Sequence, residues 1–149
     1  MEVTIIEQGK KQFLNLLLLA DETEEAIDLY LDRGTLFALH DDGLKGVCVV
    51  TDEGGGEYEI QNLAIAEAAQ RRGYGRYLID YICRYYKDKA LVMLVGTGDT
   101  PAMVSFYENS GFVFSHRIVD YMLAHYEQPI YEDGVQVRDK VYFKRTLAD

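Results

Sequence analysis

Six consecutive residues, Gln70-Arg71-Arg72-Gly73-Tyr74-Gly75, have the types and spacing to hold an anion. Two glycines allow a ligand to approach the backbone with no Cβ in the way. Three arginines, Arg71, Arg72 and Arg76, lie in or beside the stretch. Residues 60–65 before it read as a strand, and residues 76–87 after it as an amphipathic helix. The stretch is therefore a strand-to-helix turn. The first N–H groups of a helix have no partner within the helix, and the aligned peptide dipoles make that end positive. Such a turn is a seat for a diphosphate or a similar anion.

The elements that must position this seat follow from periodicity. Val3-Thr4-Ile5-Ile6 is β-branched and reads as a first strand. Residues 11–20 read as a short, mostly buried helix. Asp21-Glu22-Thr23-Glu24 has the form of a helix start, with Gly34 expected as its left-handed cap. Residues 35–39 and 46–50 make a hairpin around Asp42-Gly43. Residues 57–65 form the next strand, and its apolar continuity suggests a central position. In the helix that follows, Leu78, Ile79, Ile82, Cys83 and Tyr86 fall on one face. Residues 91–95 are wholly apolar and suit a parallel partner reached by a helical crossover. Residues 101–109 read as a second helix ended by Gly111. One or two strand segments are expected in residues 112–126, with a turn at Asp133-Gly134 and a last strand at residues 141–143. The fold class is α+β, with one central sheet.

The chain has 149 residues, suited to a single domain over 1–149. Its net charge of -10 argues against a nucleic-acid partner, which needs a basic surface. Cys48 and Cys83 make neither a disulfide framework nor a metal site and read as small core residues. The longest apolar run, residues 16–20, is too short to span a bilayer, and no basic leader follows Met1. No membrane contact is expected, and the expected location is the cytoplasm. The three histidines have no motif around them and read as surface or structural residues.

With these elements in order, the chain resembles the GNAT superfamily of acyl-CoA-dependent N-acyltransferases. Residues 70–75 fit its R/Q-x-x-G-x-G/A pyrophosphate signature. Asn62-Leu63-Ala64-Ile65 resembles the strand that runs beside the pantetheine arm, and Ser105 through Phe112 resembles the late Y-E-x-x-G-F helix ending. A Rossmann dinucleotide site is the main competitor. It fails because Leu78 stands where a small third residue is wanted and because residues 91–95 lead into glycine, not an acidic residue.

The resemblance implies a mixed, mostly antiparallel sheet with a splayed parallel pair, flanked by helices. It implies acetyl-CoA as acyl donor and no metal. Gln70, Arg71, Arg72, Gly73, Tyr74, Gly75 and Arg76 would form the pyrophosphate seat, with backbone N–H groups doing the positioning. The backbone of Leu63 and Ile65 would pair with the pantetheine arm, and the Ile65 N–H would polarise the thioester carbonyl. Tyr107 would hand a proton to the leaving thiolate. Glu59 is the candidate base: six residues before Ile65, it shares that residue's face on a regular strand, unless a bulge intervenes. It either deprotonates the amine or binds it as a cation. The asparagine that many members carry after the strand at 91–95 is replaced by Thr97, Asp99 and Thr100.

The acceptor implied is a primary amine, with specificity arising from residues 16–31 and 121–142. A small molecule is favoured over a peptide amine, since no extra recognition domain exists. A homodimer is common in the superfamily, and nothing in the sequence decides it. The alternative is a non-catalytic acyl-CoA-binding or regulatory module, which would need neither Tyr107 nor Glu59.

Overall fold

In the computed structural model, which describes residues 1–147, the chain begins with β1 (Glu2–Ile6), a 3-10 turn (Lys10–Phe13), α1 (Leu14–Leu17) and α2 (Glu24–Asp28). Three strands follow: β2 (Thr35–His40), β3 (Leu44–Gly54) and β4 (Glu57–Ile65). After a second 3-10 turn (Glu67–Ala69) come α3 (Tyr74–Tyr85), β5 (Val92–Gly98) and α4 (Pro101–Asn109). The remainder is β6 (Val113–Ile118), α5 (Tyr121–His125), the hairpin β7 (Ile130–Glu132) and β8 (Val135–Val137), and β9 (Lys140–Thr146). Seven strands make one sheet in the order β1-β2-β3-β4-β5-β9-β6, and β7-β8 stand apart as a two-stranded sheet. Among the described residues only β4 and β5 pair in parallel; every other neighbouring pair is antiparallel. Among the described residues no helix is long and apolar enough to cross a membrane.

The middle strands are apolar on both faces because both faces are covered. On β2, Phe37 and Leu39 join one core while Leu36 and Ala38 join the other; on β3, Cys48 and Val50 face opposite to Val47 and Val49. The first core is closed by Leu78, Ile79 and Ile82 of α3, and the second by Leu17 of α1 and Ile27 of α2. Both cysteines are buried, and burial pushes the Cys83 thiol up to about 11, in keeping with packing and not with nucleophilic work. In α4, Thr100 caps the first turn by accepting from the Met103 N–H at 3.3 Å, and Pro101 occupies the first helical position.

The N-terminal segment departs from the sequence reading. Only Leu17 of its leucine run is fully sealed; Leu18 and Leu19 are 39% and 47% exposed, because α1 is a single turn with one face on β3 and β4. The cap of α2 is Thr23, which accepts from the Ala26 N–H at 3.1 Å, and Asp21 is left for another task. Gly34 is not a left-handed cap. It is glycine because a Cβ would lie 2.6 Å from Val49 Cγ1 and 2.9 Å from the Tyr30 carbonyl. The carbonyls at this turn are gathered instead by the Lys10 ammonium, which donates to Leu31, Asp32 and Gly34 at 3.0, 3.3 and 2.6 Å. Helix α3 starts at Tyr74, two residues before the periodicity predicts, so the glycine stretch runs into the helix. The segment after Phe112 holds one strand, β6, and then the short helix α5.

One irregularity shapes the centre. On β3, Val49 pairs with Asn62 and the next residue, Val50, with Ile60, so Gln61 is an extra residue in β4. Such a bulge bends its strand and turns consecutive side chains to one side. Ile60, Leu63 and Ile65 consequently share the first core's face, whereas Asn62 and Ala64 face the second. Parallel pairing of β4 with β5 ends at this point, at Ile60 opposite Val95. Beyond it β4 stays with β3 to Ile65, while β5 stays with β9 to Gly98. The two central strands splay apart.

Candidate active site

A cavity of about 710 Å3 fills the splay. Residues 60–65 of β4 form one wall and residues 95–98 of β5 the other. The turn before α3 and residues of α4 close one end; Asp21, Glu22, Tyr121, Tyr126 and Lys140 close the other.

The glycine turn meets the cavity at the helix start. Gly73 is the N-cap of α3, with φ 87° and open space where a Cβ would be, and Arg71 is also left-handed, at φ 63°. Tyr77 makes the first helical bond, from its N–H to the Gly73 carbonyl at 3.0 Å. The N–H groups of Tyr74, Gly75 and Arg76 precede it and have no partner within the helix. The first turn carries no acidic side chain, so nothing offsets the positive end. Gly75 serves a different end from Gly73: its missing Cβ admits the Phe106 ring, whose Cζ would lie 3.0 Å away, and so seats α4 against α3.

Of the predicted pyrophosphate residues, Gln70, Arg71, Gly73, Tyr74, Gly75 and Arg76 line the cavity, and Arg72 does not. Arg72 lies over the Tyr74 ring at 5.4 Å, while the Tyr74 hydroxyl donates to Asp41 Oδ2 at 2.7 Å and ties the helix start to the β2–β3 turn. Gln70 Nε2 donates to the Ile65 carbonyl at 3.0 Å and fixes the end of β4.

Main-chain accounting gives β4 its chemistry. The Ala66 N–H donates to the Lys45 carbonyl at 2.8 Å. Antiparallel alternation then turns the N–H groups of Leu63 and Ile65 away from β3. They point to the edge that β5 has left, so among the described residues both are donors without a strand partner on the cavity wall.

Tyr107, 3% exposed, lines the same cavity. Its ring is held edge-on by Phe106 and Phe112, at centroid distances of 5.0 and 5.7 Å, and stacks on Phe143 at 6.3 Å. Its hydroxyl has no hydrogen-bond partner among the described residues, and burial pushes its pKa above the usual tyrosine range. The hydroxyl therefore keeps its proton.

Glu59 is placed otherwise. The bulge at Gln61 breaks the alternation that would have put it on the face of Ile65, and Glu59 does not line the cavity. It pairs with Thr51, and burial raises its carboxyl above the usual range, against a lowering influence of Lys140. Among the substitutes for the family asparagine, Asp99 is engaged by Arg117 at 2.6 Å and Thr100 caps α4. Thr97 lines the cavity, as does Asn109 from the end of α4, an unspecified position within the Y-E-x-x-G-F stretch.

The far end holds a hydrogen-bonded chain that sequence reading missed. Asn62 Nδ2 donates to the Leu17 carbonyl and to the Tyr30 hydroxyl, both at 3.0 Å. Tyr30 donates to Asp21 Oδ2 at 3.0 Å, and Tyr126 donates to Asp21 Oδ1 at 2.7 Å. The Glu22 N–H adds a third donor to Asp21 at 2.8 Å. Asn62 Oδ1 is sealed and has no partner among the described residues.

A strand parted by a bulge faces an uncapped helix start across one cavity. Residues 8–112 match the Acetyltransferase (GNAT) family. The chain is 34% identical over 144 residues to YvbK of Bacillus subtilis strain 168, named an uncharacterized N-acetyltransferase, covering 95% of this chain and 93% of that protein. A GNAT family acetyltransferase from Elizabethkingia anophelis, solved with acetyl-CoA bound, superposes with a TM-score of 0.92 at 28% identity, covering 98% and 97% of the two chains. A Bacillus subtilis acetyltransferase in complex with CoA gives 0.89 at 33%, covering 98% of each. The chain belongs to the GNAT acetyltransferase family.

Proposed function

We propose that the protein moves the acetyl group of acetyl-CoA onto a primary amine, a small-molecule amine before a peptide one, by direct attack of the neutral amine on the thioester. The observation that carries this reading is the pair of unpaired N–H groups of Leu63 and Ile65 in the same cavity as the open N-terminus of α3. The two ends of one donor molecule fit them. Its pyrophosphate takes the helix N–H groups, and its amide-bearing arm pairs with β4 as a strand would. The relatives solved with acetyl-CoA or CoA support the choice of donor.

The amine nitrogen bonds to the thioester carbon, and the carbonyl oxygen takes up the charge against the Ile65 N–H. The C–S bond then breaks, and the thiolate receives its proton from Tyr107. The surplus proton on nitrogen passes to Glu59 through an intervening water, since Glu59 is off the cavity wall. Its raised pKa is in the direction a base needs. The cytoplasm is the location this reading carries, and a homodimer stays open within it.

Thiol release from acetyl-CoA across a panel of amines tests the proposal. Acceptor-dependent release supports it. Tight CoA binding by calorimetry with no release on any amine favours the acyl-CoA-binding module, and failure to bind CoA removes both.

A further inference from the structure

Lys140 opens β9 opposite Gly98, and its side chain crosses the inner face of β5 into the cavity. It can do so because residue 96 is glycine: a Cβ there would collide with Lys140 Cε and come within 2.8 Å of Tyr142 Cε1. The ammonium rests between two rings, 4.6 Å from the centroid of Tyr121 and 5.0 Å from that of Tyr142. Among the described residues no carboxylate lies within ion-pair distance of it.

This is an unusual state for a half-buried lysine in a chain of net charge -10. Ring faces attract a cation, but an ammonium has three N–H donors and the rings accept none of them as well as an anion does. Among the described residues three carboxylates line the cavity with it, Asp21, Glu22 and Glu132, and none of them is within ion-pair distance. Asp21 already accepts from Tyr30, Tyr126 and the Glu22 N–H, and Glu59 stays beyond contact. The cavity thus presents, on the wall away from the glycine turn, one positive charge held by two rings and by no ion pair among the described residues.

We propose that Lys140 receives the carboxylate of the acceptor, so that the substrate is an amine that also bears a carboxylate, of the amino-acid kind. The same charge repels the second cation of a diamine or polyamine. It also disfavours the ammonium form of the reacting group, and attack needs the neutral form. The assignment rests on the transferase reading above.

Matched pairs of acceptors decide it: phenylalanine against phenethylamine, lysine against cadaverine, 4-aminobutyrate against butylamine. Each is assayed by thiol release with wild type, Lys140→Met and Lys140→Arg. Methionine keeps the stem that packs over Gly96. Wild type should prefer the carboxylated member. Lys140→Met should lower the ratio of kcat/KM between members by about tenfold to a hundredfold, chiefly through KM, as loss of a charge-assisted hydrogen bond does. Lys140→Arg should restore most of it. A wild-type preference for the decarboxylated amines, or a ratio that Lys140→Met leaves unchanged, overturns the assignment. Calorimetric CoA binding by all three proteins shows that the donor half is intact. No release from either series by a CoA-binding wild type instead defeats the transferase reading, and the acceptor assignment with it.

Discussion

Tyr126 donates to Asp21 at 2.7 Å although the two stand 105 positions apart. One comes from the end of α5 and the other from the connection between α1 and α2, so this bond joins the C-terminal segment to the N-terminal one across the mouth of the cavity.

Tyr126→Phe removes a hydrogen bond to a charged acceptor while leaving Asp21 with Tyr30 and the Glu22 N–H. A loss of about 1–2 kcal/mol is expected, read as a lower midpoint in urea with an unchanged slope. An unaltered midpoint would show that the bond adds nothing to the fold.

Tyr107→Phe keeps the aromatic packing against Phe106, Phe112 and Phe143 and removes only the hydroxyl. Turnover should fall by about tenfold to a hundredfold, with CoA affinity close to wild type. Because burial raises the Tyr107 pKa, the wild-type rate should show no alkaline decline from this group below about pH 10. A full rate in the variant excludes Tyr107 as the acid.

Gly73 allows conformation and ligand approach to be separated. Alanine meets open space but must adopt φ 87°, at a cost of about 1–2 kcal/mol in stability. Gly73→Glu carries the same backbone cost and adds a negative charge at the seat. If an anion is held there, CoA should bind the glutamate variant at least about tenfold more weakly than the alanine variant. Equal affinities in calorimetry would move the anion elsewhere.

Glu59 has a pH signature. Its folded pKa is raised, so the native state holds this proton to higher pH than the unfolded chain does. Ionisation therefore costs stability as pH rises from about 4.3, the unfolded value, through the folded pKa. Glu59→Gln should raise the melting temperature at pH 7 and bring no gain near pH 3.5. A gain of equal size at both pH values would refute the cause. Turnover by the same variant reports on the base: an unchanged rate leaves Glu59 out of the chemistry.

Lys10→Met withdraws one ammonium from three carbonyls at the turn before β2. About 1–2 kcal/mol of stability should go with it, in a denaturant titration, with CoA binding retained. Loss of binding would mean that the turn shapes the cavity as well.

Local signals were legible in the sequence and long-range ones were not. The bounds of β4 and α4 could be read because the run from Glu57 to Ile65 and the Thr100-Pro101 start carry their own punctuation. The glycine turn and Tyr107 could be placed at the cavity because a motif spans them. The bulge was invisible: nothing about Gln61 alone marks it, and it exists only in the register of β4 against β3. Without that register, the face of Glu59 could be given only on the condition of a regular strand, and the bulge removes that condition. Asp21 was read as a cap because its true partners, Tyr30 and Tyr126, include one 105 positions away. Lys140 reaches the cavity by tertiary packing, with no spacing pattern to announce it.

On the reading proposed above, the parting of β4 from β5 leaves donor recognition at Leu63 and Ile65 to atoms that nearly every amino acid possesses. Substitutions of these side chains change what packs behind the strand and leave its outward N–H groups in place. Proline is the exception, having no N–H to offer. The end proposed for the acceptor is lined by side chains, Lys140, Asp21 and Tyr126 among them, each replaceable one codon at a time. Under that reading, descendants of this chain can drift in what they acylate while a grip on the acyl carrier written in the main chain is inherited unchanged.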